Sequence, residues 1–211
     1  MREFAGDFET HLTVSPGGGH ERLESWAGRR GLKYARIVLD RGQAPDQPML
    51  TVRGRGTLTA QRDAARAWVA EMAEAGFAVT RLKIEASPFN ADVPQTAAEA
   101  AALPPGCYFE HHVKLVLTGP EQVDRARAIS ERHAAHLSRN ARRVLTDGSH
   151  HRFVTQRCRD VGLPEARRRL DALLAALTAD GFAALEAEAE FVVVDDNPDL
   201  DAGWIDERAA A

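Results

Sequence analysis

The 211 residues, 44% hydrophobic and 27% charged, have the composition of an ordinary soluble protein long enough for one large domain or two small ones. A net charge of −4 argues against a general nucleic-acid binder, and no run approaches the roughly 18 apolar residues of a membrane span. The start, Met1-Arg2-Glu3-Phe4, lacks the apolar segment of a secretory signal, so a cytoplasmic location is expected; Cys107 and Cys158, without metal spacing, read as buried thiols.

Phe8, Thr10, Leu12 and Val14 alternate with Glu9, His11 and Thr13, the period-2 pattern of a strand with different chemistry on its two faces. Ser15-Pro16-Gly17-Gly18-Gly19 ends it as a connection without the spacing of a phosphate loop, and a short helix over 21–30 follows, carrying Leu23, Trp26 and Ala27. Strands are expected at 33–40 and 49–53, with Thr51 and Arg53 sharing a face. The helix over 60–75 has the apolar stripe Ala64, Ala67, Trp68, Met72 and Ala75, with Gly76 at its C-terminal cap. In the strand over 79–86, Leu82 and Ile84 alternate with Lys83 and Glu85.

The order strand, helix, strand, strand, helix, strand is that of a ferredoxin-like α+β unit, with antiparallel strands arranged 4-1-3-2 and both helices on one face. After a linker the order repeats: a strand with Glu110, His112 and Lys114 opposite Phe109, Val113 and Leu115, a helix over 122–135, strands at 137–146 and 152–157, a helix over 164–179 and a strand at 185–194. Phe8-Glu9-Thr10-His11 returns as Phe109-Glu110-His111-His112; Thr51 and Arg53 return as Thr155 and Arg157, and Glu85 returns as Glu190. Collinear matches of both core and polar positions indicate a tandem duplication. The expected organisation is a first ferredoxin-like βαββαβ repeat at 1–92, a linker at 93–106, a second repeat at 107–199 and a tail at 200–211, with two antiparallel sheets facing across a shared cleft or barrel.

If the apolar alternates face the helices, sheet one leaves Glu9, His11, Thr51, Arg53, Lys83 and Glu85 on the other side, and sheet two leaves Glu110, His112, Lys114, Thr155, Arg157, Glu188 and Glu190. Neutral imidazoles and carboxylates on neighbouring strands form a ligand set for a divalent transition metal, here His11, Glu85, His112 and Glu190. Threonine and arginine suit an anionic oxygen, so Glu9, Thr51, Arg53, Lys83, Glu110, Lys114, Thr155 and Arg157 are the candidate contacts for a small anionic molecule. His11 and His112 are the candidate acid and base. The bland alternative makes Glu9 with Arg53, and Glu110 with Arg157, cross-strand ion pairs in a non-catalytic binding or interaction module.

The metal set resembles the ligand scheme of the glyoxalase-type vicinal oxygen chelate proteins, in which first and last strands of two repeats supply His or Glu; this implies a metal-dependent lyase or isomerase. His11-Leu12-Thr13-Val14 and His112-Val113-Lys114 resemble the paired His-x-Thr/Ser strands of two-histidine phosphoesterases, which implies a metal-free hydrolase with His11 and His112 as general base and acid and Lys114 in place of a hydroxyl.

Lesser features have plainer readings. His133 and His136 read as a solvated helix end, and His150-His151 after Asp147-Gly148 as the turn between two strands. Arg139, Asn140, Arg142 and Arg143 read as charge on an edge strand. Asp195-x-Asn197-x-Asp199-x-Asp201 has a calcium-loop spacing spoiled by Pro198 and reads as a turn, with Trp204 and Ile205 anchoring the tail.

Overall fold

The computed structural model describes residues 3–144 and 150–205. The first unit runs β1 (Ala5–Val14), α1 (His20–Gly28), β2 (Lys33–Leu39), β3 (Asp46–Thr57), α2 (Leu58–Glu74) and β4 (Val79–Ala86). A short α3 (Ala97–Ala101) lies in the connection, its start fixed by a Thr96/Glu99 capping box. The second unit runs β5 (Tyr108–Leu117), α4 (Gly119–Arg132), β6 (Ala135–Val144), β7 (His150–Cys158), α5 (Leu163–Ala179) and β8 (Ala184–Asp195).

The strands follow one another around a closed barrel as β1-β3-β2-β6-β7-β5-β8-β4. This is two ferredoxin-like sheets, β4-β1-β3-β2 and β6-β7-β5-β8, joined at both edges. The joining seams are short. One pairs Ile37, Val38 and Leu39 with Asn140, Arg139 and Ser138; the other pairs Lys83, Ile84, Glu85 and Ala86 with Asp195, Val194, Val192 and Phe191, with a register shift between Ile84 and Glu85. The arginine-rich β6 is therefore no free edge, as its charge suggested, but the partner that closes the barrel on β2.

Apolar alternates pack outward under the helices. Leu12, Val14, Leu23, Trp26, Leu50, Met72 and Phe77 form the core of the first unit, and Val113, Leu115, Ile129, Leu137, Val154, Leu173 and Leu177 that of the second. A third cluster spans both units, with Phe109 and Phe191 rings 4.7 Å apart and Phe4 5.8 Å from Phe191. Burying such faces supplies most of the stabilisation, at about 25 cal/mol per Å² of apolar surface.

Several boundaries differ from the sequence expectation. On α2, Trp68, Met72 and Ala75 of the expected stripe pack into the core, but Ala64 and Ala67 are exposed and Leu58, Gln61 and Ala65 are buried instead. Alanine is abundant all round this helix and marks no face; the N-cap at Thr57, which accepts from Ala60 N at 3.2 Å, fixes its start. α4 ends at Arg132, so His133 caps it while His136 sits on β6 rather than on the same helix. His150 and His151 open β7 rather than forming a turn. The turn expected at Asp147-Gly148, the side chains of Arg142 and Arg143, and the end of the tail at 206–211 lie outside the described residues.

His111 lies on the helix side of β5 and is fully buried. Its Nδ1 donates to Gln156 Oε1 at 3.0 Å, Gln156 Nε2 donates to His133 O at 2.8 Å, and no described protein atom partners His111 Nε2. Burial lowers its pKa, against the opposing effect of Gln156, so the ring is neutral in the fold. The unfolded chain, with a histidine pKa of about 6.5, binds the extra proton, so this contribution to stability is complete above about pH 6.5 and is lost as pH falls. The urea midpoint should drop between about pH 7.5 and about pH 5.5 in the wild type and drop less in His111→Leu, which is less stable overall because Gln156 loses its donor; equal drops would refute this origin.

Candidate functional site

Closing the barrel sends the polar alternates of all eight strands into one interior. β1 contributes Glu9, His11 and Thr13, and β5 contributes Glu110 and His112; β4 adds Arg81 and Lys83, and β8 adds Glu188 and Glu190. They line a cavity of about 190 Å³ that also has an apolar wall, built from Ala35, Ile37 and Leu39 of β2 with Met49, Phe153 and Trp204. Glu9, Glu188 and Glu190 also wall an outer groove of about 630 Å³, so the cavity opens to solvent beside these carboxyls.

The two histidines are held alike. His11 Nδ1 lies 3.0 Å from Thr51 Oγ1, and its Nε2 donates to Glu85 Oε2 at 2.7 Å, so the neutral ring accepts from the threonine hydroxyl. His112 Nδ1 lies 3.1 Å from Thr155 Oγ1, while its Nε2 faces Glu110 Oε2 at 3.4 Å and Glu190 Oε2 at 3.6 Å. Thr51 and Thr155 thus aim the imidazoles, a role that leaves them fewer contacts for the anionic ligand they were expected to meet.

The expected cation contacts are also engaged. Lys83 Nζ lies 2.6 Å from Glu85 Oε1 and bonds to Glu110, and Arg157 Nε donates to Glu110 Oε1 at 2.7 Å. Burial alone would raise the carboxyls of Glu85 and Glu110 and lower the Lys83 ammonium. Lys83 and Arg157 outweigh that for Glu110, Lys83 and His11 do so for Glu85, and all three groups are held in their charged forms. Glu190 goes the other way: burial, then the adjacent Glu85 carboxylate, pushes its pKa up to about 10. Arg53 donates to Glu9 at 2.7 Å at the open mouth, and Lys114 pairs with Glu186 at 3.4 Å, away from the cavity wall.

The four residues expected as metal ligands come together, but as parts of two overlapping groups. Glu9, His11 and Glu190 present ligand atoms within 4.8 Å of one another, as do Glu85, His112 and Glu190. Metals of the zinc, manganese and iron type match such imidazole and carboxylate sets.

A second network was not anticipated. Asp195 receives both Arg81 Nε at 2.8 Å and Arg81 Nη2 at 2.6 Å, and the Tyr108 hydroxyl at 3.1 Å. Asp201, in a short turn over Pro198–Asp201, accepts from Arg81 at 2.8 Å, Arg157 at 2.6 Å and Gln47 at 3.0 Å. Trp204 Nε1 then donates to Leu137 O at 2.8 Å, and the Gly42 turn packs so closely that a Cβ there would lie 3.2 Å from Ala202 O and Trp204. The tail thereby seals the end of the barrel away from the mouth. Arg81 was visible in the sequence as the next member of the Lys83 and Glu85 face; Asp195 and Asp201 were visible as the calcium-like spacing, whose carboxylates serve arginines instead.

Replacing Asp201 by Asn leaves two buried guanidiniums short of a counter-charge. Burial raises the Asp201 carboxyl pKa but Arg157 and Arg81 hold it low, so the charge is integral to the fold. Asp201→Asn should cost about 3 to 5 kcal/mol in denaturant unfolding, and a loss under about 1 kcal/mol would show that solvent reaches the arginines.

No protein-family model matches the chain, and no curated protein is similar to it in sequence. Among solved structures, it is similar to the acetolactate synthase small subunit from Thermotoga maritima, at 12% identity over 92% of this chain and 96% of that one, TM-score 0.29. It is also similar to a mutant chlorite dismutase from Candidatus Nitrospira defluvii, at 13% identity over 89% and 91%, TM-score 0.28. Likenesses this distant say nothing of function, and the fold rests on the strand order itself.

Proposed function

We propose that the barrel binds a small molecule with its polar head among Glu9, His11, His112 and Glu190 and its apolar body against Ala35, Met49, Phe153 and Trp204, and that His11 and His112 exchange protons with the head. The observation that carries this is the cavity itself: two imidazoles, each aimed inward by a threonine, face one volume that has both polar and apolar walls. A cavity of about 190 Å³ is somewhat larger than the roughly 150 Å³ that takes benzene, which sets the size of the molecule.

Charge decides which head fits. Lys83, Arg157 and Arg53 already pair with Glu85, Glu110 and Glu9, and Glu188 and Glu190 add further carboxyls at the mouth. A free phosphate or carboxylate entering alone meets acidic groups, which weighs against metal-free phosphodiester chemistry. A divalent cation reverses that field and gives an anionic oxygen a partner, so metal-assisted conversion of a small oxygen-bearing anion is the enzyme reading the geometry favours.

Thermal shift with benzoate and phenyl phosphate, each with and without Mn²⁺, tests the binding. Saturable shifts are expected in the wild type and not in Ala35→Trp, whose indole fills the space beside the apolar wall. Turnover of p-nitrophenyl acetate and p-nitrophenyl phosphate tests the chemistry, and removing either histidine should lower it about 100-fold. A wild type that answers to none of these probes, or turnover that survives His11→Ala and His112→Ala together, would count against the reading.

A further inference from the structure

The pairing registers define which residues are equivalent across the duplication. On β1 and β4, Glu9 lies opposite Glu85 and His11 opposite Lys83; on β5 and β8, Glu110 lies opposite Glu190 and His112 opposite Glu188. On β3 and β7, Arg53 lies opposite Glu9 and Arg157 opposite Glu110. Glu9, His11, Thr51, Arg53 and Glu85 therefore have like-for-like partners; farther along the same strands Thr13 and Arg81 correspond to Lys114 and Glu186, and within the set around the histidines the exception is Lys83, which corresponds to Glu188.

That exception falls at a particular place. The Lys83 ammonium sits between Glu85 and Glu110, and Glu110 also faces His112 Nε2 at 3.4 Å. Carried through the pseudo-twofold, Glu85, Glu110 and His112 become Glu190, Glu9 and His11. These are the residues whose ligand atoms lie within 4.8 Å of one another at the mouth. The pseudo-twofold thus relates the place of the Lys83 ammonium to a second place among Glu190, Glu9 and His11. One is filled by the protein's own ammonium. At the other the lysine is replaced by a glutamate, which adds negative charge where its counterpart neutralises it. Arg53, which pairs with Glu9 at 2.7 Å, is 75% exposed at the side chain against 6% for Arg157, so it screens this second position far less than Arg157 screens the first.

We propose that Glu9, His11 and Glu190 bind a single divalent transition-metal ion at the mouth, with Glu188 beside them, and that Lys83 is a built-in replacement for a second ion at the equivalent position. His11 Nε2 would coordinate in place of donating to Glu85, while Thr51 at Nδ1 keeps the ring aimed, the usual outer-shell arrangement for a ligating histidine. One imidazole with carboxylates suits zinc, manganese or iron. The site shares the cavity with the small-molecule reading but needs no organic ligand, so the two can fail separately; with the ion bound, both His11 nitrogens are engaged and proton exchange falls to His112 alone.

The test is equilibrium dialysis of the full chain against Zn²⁺, without an affinity tag, followed by elemental analysis. The wild type should hold about one ion per chain, and His11→Ala should lose it while His112→Ala keeps it. Glu188→Lys should lower zinc affinity at least about 10-fold, because the new ammonium reproduces on the first site what Lys83 does on the second. Lys83→Glu should raise the content to about two ions per chain. If that variant does not fold without metal, refolding that requires Zn²⁺ gives the same answer, and the exposed Glu188→Lys carries the test independently. A wild type without zinc, an ion that depends on His112 rather than His11, or a Glu188→Lys protein that binds as the wild type does would each overturn the proposal.

Discussion

A sheet that closes on itself has no outer edge to spare, and closure is the constraint on which the rest of this molecule depends. Half of all strand side chains are forced into one shared interior, where water is scarce and unpaired charge costs several kcal/mol. An apolar filling would be the simplest answer. This chain instead fills the centre with ions and balances them pairwise: Lys83 with Glu85 and Glu110, Arg157 with Glu110 and Asp201, Arg81 with Asp195 and Asp201. Lys83 with Glu110, and Arg81 with Asp195 and Asp201, cross from one repeat to the other and fix the relative setting of two sheets whose seams are only a few residues long. A network of this kind is weak evidence for added stability but does specify one arrangement over its alternatives.

Electrostatic balance is not uniform along the barrel. At the sealed end every carboxylate meets a guanidinium, and at the apolar β2 wall there is nothing to balance. Near the mouth the carboxyls of Glu9, Glu188 and Glu190 gather with Arg53 on the solvent side, and the pKa of Glu190 is raised by burial and by the Glu85 carboxylate beside it. The proposed ligand chemistry falls where the internal pairing is incomplete, which is where a structure can do more than hold itself together.

Much of this was legible in the sequence. Period-2 alternation separates Glu9 and His11 from Phe8 and Leu12 without any structure, and the recurrence of Glu, His, Thr, Arg and Glu in order identifies both the duplication and the inner face. Three things were not legible, for different reasons. Which alanines of α2 are buried escaped, Ala65 rather than Ala64 and Ala67, because alanine packs equally well on either side of a helix. The register shift between Ile84 and Glu85, which helps bring Glu85 and Glu190 together across a seam, is set by pairing between distant segments rather than by local pattern. The contrast between Arg53 and Arg157 was hidden because the residues and their strand neighbours are the same; what differs is what lies over them, and that comes from the far end of the chain.

That contrast follows from how the two repeats are connected. The segment after β8 is free to fold back, and it delivers Asp201 and Trp204 into one end of the barrel. The segment after β4 has no such freedom: Ser87 N donates to Asp7 O, the Asn90 side chain anchors to Asp7, and the chain must then travel on to reach β5. Two separate copies of one repeat, paired as these are, would have two free tails and could stopper both ends alike. Covalent fusion spends one tail as a bridge, so a single-chain barrel of this design comes with a built-in polarity, one blind end and one doorway, before any residue at the doorway is chosen for its chemistry.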